Sequence, residues 1–480
     1  MRTGFVVTVC LAAGTSIVSP PLAAQAPSGP VISGPIRSTA MPGDPSHNYV
    51  FGSTPMDLKA AGYVEQEYFI AGTAARYVIP NGPGETTSPG TMPYKTRIVV
   101  RRPIAAAKFK GVVVLDWRNA STGHDGDLTW ISSGGFFVRE GWAWVGATVQ
   151  RANVHGFPPP HPMASTALKP WNPERYGSLD LTNGGTVTDD TQALDVFTQI
   201  ADAIRHPRNL DMFEGRRVQR IYASGGSQSA GFLIRYYNHL QSRTNAFDGF
   251  LATQGGPAPR PDQRAKILKV YTEADVARQA PLRVADSTTT HTWEIAGAPH
   301  MPILWQGAAA FAAEVRDLGA DGALPAAECA KPFPSTVETS MVFTAGYAAL
   351  DRWVTANERP AVTDRIQTTG DPSTAVHTIL RDERGIARGG IRLPAVAQPT
   401  AVNAGENQPA NPSPINGLCG FVGSHLPFDA ATLTTMYPDR AAYLRDVRRT
   451  VEALVAQKVV MREDAELLIQ RAEAALPRGR

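Results

Sequence analysis

Cysteine is scarce in this chain: 480 residues carry three, Cys10, Cys329 and Cys419. A disulfide-stapled miniature fold and a cysteine-rich metal module are excluded, since both need a dense framework of thiols. Excess charge of one sign is lacking too. Against 43 Asp and Glu stand 46 Lys and Arg, a formal net of +3, and the basic residues are scattered. That leaves no electrostatic footprint for nucleic acid or an anionic membrane surface. No HxH or HxxxH spacing joins the ten histidines, so a metal site has no sequence support. The most apolar segment, 5–18, is interrupted by Gly14, Thr15 and Ser16 and is too short to span a bilayer comfortably, so no stable membrane insertion is expected. Repeats, coiled-coil heptads and low-complexity tracts are absent.

What is present begins with a leader. Arg2, the apolar segment and Pro20-Pro21-Leu22-Ala23-Ala24 ahead of Gln25 predict a secretory signal over 1–24, cut after Ala24. The mature protein is then secreted or periplasmic and Cys10 is discarded with the leader. Cys329 and Cys419 remain, bound for an oxidising compartment where only one pairing is available, so a Cys329–Cys419 disulfide is expected. With 43% hydrophobic and 19% charged residues, the chain can bury a large core.

Residues 25–60 are rich in Pro, Gly and Ser and predict an N-terminal arm over the surface of a domain spanning 61–480. Apolar, β-branched runs follow at 68–79, 95–102, 111–117, 142–149, 218–224, 247–253, 267–271 and 292–295. Several are almost continuously hydrophobic, as strands are when helices cover both faces. Helical spacing appears at 190–206, a helix-like stretch at 231–240 directly follows a strand, a long helix is expected around 341–355, and in the tail 425–480 should hold helices built on Tyr443, Val447 and Val451 and on Leu467 and Leu468. The alternation predicts an α/β fold with a mostly parallel sheet. Segment 151–188, with Pro158, Pro159, Pro160, Pro162, Pro170 and Pro173, exceeds an ordinary connection and is a candidate pocket wall or lid.

The chemistry concentrates at Ser224-Gly225-Gly226-Ser227-Gln228-Ser229, between a strand and a helix. A serine nucleophile on a strand-to-helix elbow needs small residues two before and two after it; Gly225 and Ser229 fill those places, the latter where glycine is usual. The helix N-terminus behind Ser227 offers its amides to an oxyanion, with Gln228 as first donor. A base and an orienting acid must follow, and α/β-hydrolases use the order Ser, acid, His. The run at 265–275 is a strand ending in Glu273 and Asp275, and the strand at 290–295 leads through Gly297 to His300. His300 is the predicted base and Asp275 the predicted acid, a few residues past the strand end, with Glu273 as the alternative. A second oxyanion donor is expected in the loop after 111–117, from Arg118 or Asn119. His377 and His425 come after the expected position of the base and are rivals that close no strand; His124, His155 and His161 sit in loops that could line the pocket.

These stretches, together with Trp171-Asn172-Pro173-Glu174-Arg175-Tyr176-Gly177, Trp293-Glu294-Ile295-Ala296-Gly297-Ala298-Pro299-His300, Gly389-Gly390-Ile391-Arg392-Leu393-Pro394 and the tail 437–474, resemble the bacterial "alpha/beta hydrolase domain" family of secreted, esterase-like proteins. The resemblance implies an α/β-hydrolase fold with a serine nucleophile and leaves the substrate open. Glu174, Arg175 and Tyr176 recur in it, either as a substrate contact or as an ion pair and aromatic pinning the insertion. The combined expectation is a secreted serine hydrolase that cleaves a small-molecule carboxylic ester through an acyl-enzyme, with no cofactor. An amidase or aminopeptidase on the same fold, and a non-catalytic ligand-binding homologue, are the alternatives.

Overall fold

The computed structural model describes residues 29–80, 86–158, 166–301, 312–319, 327–371, 373–412 and 415–476. The expected leader with Cys10, the first residues of the expected arm, and His161 lie outside these. Nine strands make one sheet: β1 (Val31–Ser33), β2 (Tyr63–Ala75), β3 (Thr91–Pro103), β4 (Val112–Trp117), β5 (Ala143–Ala147), β6 (Arg220–Gly226), β7 (Gly249–Thr253), β8 (Lys266–Thr272) and β9 (Thr290–Ile295). Their order is β1-β2-β3-β5-β4-β6-β7-β8-β9. From β5 across to β9 every pairing is parallel, whereas β1, β2 and β3 join antiparallel at one edge.

Strand periodicity divides the core in two. In β4, Val112 and Val114 enter one apolar cluster while Val113 and Leu115 enter the other, because successive side chains leave opposite faces. The first cluster is closed by α1 (Leu128–Glu140) and α5 (Thr339–Ala356), with the C-terminal helices α6 (Arg440–Ala456) and α7 (Ala465–Ala475). The second is closed by α2 (Ala193–Arg205) and α3 (Gln228–His239). Between β8 and β9 lies a short helix, α4 (Glu273–Gln279).

Three features depart from the pattern read above. The arm is less superficial than expected: it contributes β1 to the sheet edge and buries Tyr49 and Phe51 in the second cluster. Helix α1 was not anticipated, since its Ser132-Ser133-Gly134-Gly135 centre is a run of weak helix formers that only packing of Trp130, Phe136 and Phe137 makes helical. The two carboxylates after β8 stand on the first turn of α4 rather than in a loop.

In the described part of 151–188, backbone bonds between Lys95 and Asp180 stitch the chain to β3 at 2.9 and 2.7 Å, and Trp171 stacks on His47 with ring centroids 4.3 Å apart. Of the Glu174, Arg175, Tyr176 trio, the last two converge on the buried carboxylate of Glu67: Arg175 donates at 2.9 and 2.6 Å and the Tyr176 hydroxyl at 2.8 Å. Arg97 reaches the same carboxylate at 2.7 Å and Asp125 at 2.8 Å. Arg175 and Tyr176 thus pin the insertion to β2 and β3. Cys329 and Cys419 are disulfide-bonded, 90 positions apart in the chain. Among the described residues no helix is long and apolar enough to cross a membrane.

Candidate active site

Strand β6 ends in Gly225-Gly226 and α3 begins at Gln228, so Ser227 alone makes the turn, at φ 59° and ψ −123°. A positive φ on a residue with a Cβ is strained and persists only where the surroundings hold it. The holding groups are visible. Ser227 N–H donates to the Thr253 carbonyl at 2.9 Å. The Ser229 hydroxyl accepts from Gly226 N–H at 3.1 Å and donates to the Gly226 carbonyl at 2.8 Å, closing the turn from the helix side. A Cβ on Gly225 would lie 3.2 Å from the Ser229 backbone, the close approach that demands small residues at both places. Serine at 229, where glycine is usual, therefore adds a clamp.

Ser227, His300 and Asp275 form a line. The Ser227 hydroxyl lies 2.8 Å from His300 Nε2, and His300 Nδ1 lies 2.6 Å from Asp275 Oδ1. A carboxylate can only accept, so Nδ1–H donates to Asp275 and Nε2 carries the lone pair facing the serine. Asp275 is the third residue of α4; its other oxygen accepts from Thr272 N–H at 3.1 Å and the Thr272 hydroxyl at 2.6 Å, a capping box that fixes the carboxylate plane. The side chains of His300 and Asp275 are 14% and 8% exposed, which keeps solvent off the Nδ1 contact.

A profile of the "Alpha/beta hydrolase domain" family matches residues 32–470. The chain belongs to that family. Among curated proteins nothing matches. Solved structures similar to this chain include XC6422 of Xanthomonas campestris, described as a member of the a/b serine hydrolases without lid (14% identity over 53% of this chain and 96% of that one, TM-score 0.28). They also include the esterase Est22 (11% identity, 54% and 82%, TM-score 0.29) and an alpha-beta serine hydrolase homologue from Coxiella burnetii (11% identity, 51% and 99%, TM-score 0.26).

In this α/β hydrolase Glu273 does not face the histidine. It is fully buried, and its carboxylate accepts from Gly297 N–H at 2.5 Å, Gly405 N–H at 3.1 Å and Arg381 at 2.8 Å. Two positions apart on a helix means roughly opposite faces at about 100° per residue, so the carboxylates of 273 and 275 diverge. Glu273 braces the loop that carries His300 from behind. The same loop is held by the Ser335 hydroxyl donating to the Gly297 carbonyl at 2.7 Å, by Ala274 N–H donating to the Ala298 carbonyl at 3.2 Å, and by the Gln254 side-chain amide donating to the His300 carbonyl.

The oxyanion side corrects the sequence reading. Gln228 is the first residue of α3, and the first amides of a helix have no partner inside it. Arg118 and Asn119 are not free donors. Arg118 N–H donates to the Ala147 carbonyl at 3.2 Å, and its buried guanidinium turns to Asp125, at 3.4 Å, and Asp127 over the Trp144 ring. Asn119 N–H donates to the Gly126 carbonyl at 3.3 Å, and its side-chain amide donates to the Gly226 carbonyl at 3.0 Å. Both residues build the loop and tie it to the elbow; sequence position alone cannot show which amides a loop has already paired.

The other histidines lie outside the line. His155 Nε2 accepts from Leu181 N–H at 3.1 Å and burial lowers its pKa to about 4; the His425 ring bonds Asn403 at 3.0 Å; His377 bonds the Asp371 carbonyl; buried His124 sits beside Thr122 at 3.1 Å and Glu314 at 3.5 Å. No group of three or more potential metal ligands occurs among the described residues.

One buried network escaped the sequence reading. Below the elbow, Asp116 on β4 accepts from the Thr129 hydroxyl at 2.7 Å, Thr129 lies 3.2 Å from the Ser224 hydroxyl, and Ser224 lies 2.5 Å from the Tyr347 hydroxyl. Burial pushes the Asp116 carboxyl up to about 7. These hydroxyls sit in otherwise apolar runs, and no sequence signal joins them.

Proposed function

We propose that the chain is a serine hydrolase that cleaves a carboxylic ester through an acyl-enzyme. The observation that carries the proposal is the Asp275–His300–Ser227 line, with contacts of 2.6 and 2.8 Å, ending on a strained elbow. Ser227 Oγ attacks the ester carbonyl carbon while its proton passes to His300 Nε2. The carbonyl oxygen becomes an oxyanion facing the Gln228 amide. Collapse breaks the bond to the alcohol oxygen, which takes the proton from Nε2 and leaves. Water then loses a proton to His300, attacks the acyl carbon and releases the acid, and the serine recovers its proton. Asp275 keeps Nδ1 protonated and stabilises the imidazolium between the two proton transfers. The leader sequence and the disulfide support export to an oxidising compartment.

The test is hydrolysis of an ester and aminoacyl-amide panel, with fluorophosphonate labelling, for wild type, Ser227→Ala, His300→Ala and the double variant. Each single change should cost several orders of magnitude, about as much as both together, because the residues act as one unit. Wild-type turnover in Ser227→Ala, or a label on another serine, would refute the reading. Labelling of Ser227 with amides cleaved in preference to esters would move the assignment to an amidase.

A further inference from the structure

The ring of Phe421 belongs to the C-terminal part of the chain, yet it packs on the imidazole of His300, with centroids 5.0 Å apart and planes inclined at 57°. Its carbonyl accepts from Met301 N–H at 2.7 Å, the residue after the histidine. Despite these contacts the residue remains 36% exposed. Single exposed apolar residues are ordinary on protein surfaces. What distinguishes this one is its platform. Phe421 sits in a single helical turn, Cys419–Val422, anchored through the buried Cys419 by the disulfide to Cys329. The Val422 carbonyl accepts from Ser335 N–H at 3.2 Å and the Gly423 carbonyl from Asn407 at 3.0 Å. An apolar ring is thus held rigidly, partly open to solvent, against the residue that moves the proton.

Which part of a substrate meets it follows from the chemistry. In acylation, protonated His300 Nε2 returns its proton to the departing alcohol oxygen, so that oxygen must come within hydrogen-bond reach of the ring nitrogen. The acyl chain lies on the other side of the tetrahedral carbon. A wall packed on the imidazole therefore flanks the alcohol. We infer that Phe421 is a specificity-determining residue that forms the apolar wall of the alcohol subsite, so the preferred substrates are esters whose alcohol carries a ring or other bulky apolar group. The inference rests on the serine-hydrolase reading and adds to it the class of leaving group.

The experiment uses the full mature chain and acetate esters of methanol, n-butanol and benzyl alcohol, whose leaving groups are similar in acidity, beside a second series in which the benzyl alcohol is fixed and the acyl chain grows. Wild type should prefer benzyl over methyl acetate in kcat/KM. Phe421→Ala should shrink the benzyl-to-methyl ratio by about tenfold or more, the scale of discrimination that apolar pocket contacts supply. The ranking among acyl groups should stay. Phe421→Leu, which keeps apolar bulk, should retain most of the alcohol preference and covers the case in which the alanine variant folds poorly. An equal loss for every ester would reduce Phe421 to a support for His300 and overturn the inference. So would a wild-type enzyme, labelled at Ser227 by a fluorophosphonate, that shows no preference among the alcohols. A wild type that neither hydrolyses esters nor takes the label would instead defeat the serine-hydrolase reading.

Discussion

Two carboxylates two positions apart, Glu273 and Asp275, are given different tasks by the faces of α4 they occupy. Asp275→Asn removes the acceptor that keeps Nδ1–H of His300 in place and should lower kcat by about 10⁴, the scale seen when such an acid is made neutral. Glu273→Gln keeps the side-chain shape but breaks at least one of the contacts to Gly297, Gly405 and Arg381. It should cost about 1 to 3 kcal/mol of stability and much less turnover. Steady-state kinetics and urea unfolding of both variants decide, and a larger turnover loss in the glutamate variant would exchange the two roles. Asp116 offers a test of a different kind. Its carboxyl is raised by burial to about 7 in the folded state. Between about pH 4 and 7 the unfolded chain has released this proton while the folded chain retains it, so stability falls as pH rises through that window. Asp116→Asn abolishes the dependence. Relative to wild type the variant should gain stability between pH 5 and pH 8 by an amount on the order of a few kcal/mol. Chemical unfolding at the two pH values checks this, and an equal difference at both would show that Asp116 ionises normally.

At the scale of elements, the elbow and its neighbours work as short rigid parts clamped by side chains. The Ser229 hydroxyl closes the β6–α3 turn, Asn119 ties the loop after β4 to Gly226, and the Asp275–Thr272 capping box sets the start of α4. Beside their backbone ladder, β2 and β3 carry a buried charge cluster. Arg97 on β3 is fully buried and serves both Glu67 on β2 and Asp125 in the loop before α1. Removing one partner of a buried ionic cluster leaves a charge with no solvent to accept it. Arg97→Met should therefore destabilise by about 3 to 5 kcal/mol, with the loss visible in urea unfolding. A change under about 1 kcal/mol would mean that Arg175 and Arg118 already satisfy both carboxylates.

For the whole molecule, the disulfide is the covalent tie between distant parts of the chain. Closing a loop between residues 90 apart restricts the unfolded chain by between about 4 and 5 kcal/mol on the chain-entropy account. The double variant Cys329→Ser, Cys419→Ser should unfold at lower urea by that margin. Since Cys419 lies two positions before Phe421, it should also lose discrimination among ester alcohols before it loses labelling of Ser227. A double variant as stable as wild type would mean that the unfolded chain keeps these segments close without the bond, or that the bond strains the folded state. The fold makes this reach possible: α5, α6 and α7 cover the face of the sheet shared with α1, and the chain between them passes the histidine loop.

Much of the architecture is legible in the residues alone. The strands from β4 to β9 are readable because parallel strands buried on both faces are almost unbroken apolar runs, α2 because its apolar positions recur at helical spacing, and α3 because it directly follows a strand. The elbow, the order Ser, acid, His and the single cysteine pair are likewise local or combinatorial facts of the chain. Other features exist only once the chain is folded. Helix α1 is a run of weak helix formers made helical by packing. Glu273 and Asp275 are alike in sequence and are separated by the rotation of a helix. The amides of Arg118 and Asn119 are paired by partners distant in the chain, and Phe421 meets His300 across 121 positions of sequence. Periodicity records which face of an element is buried; it holds no record of which distant element covers that face, and contacts of that kind are what position the Asp275–His300–Ser227 line and Phe421 beside it.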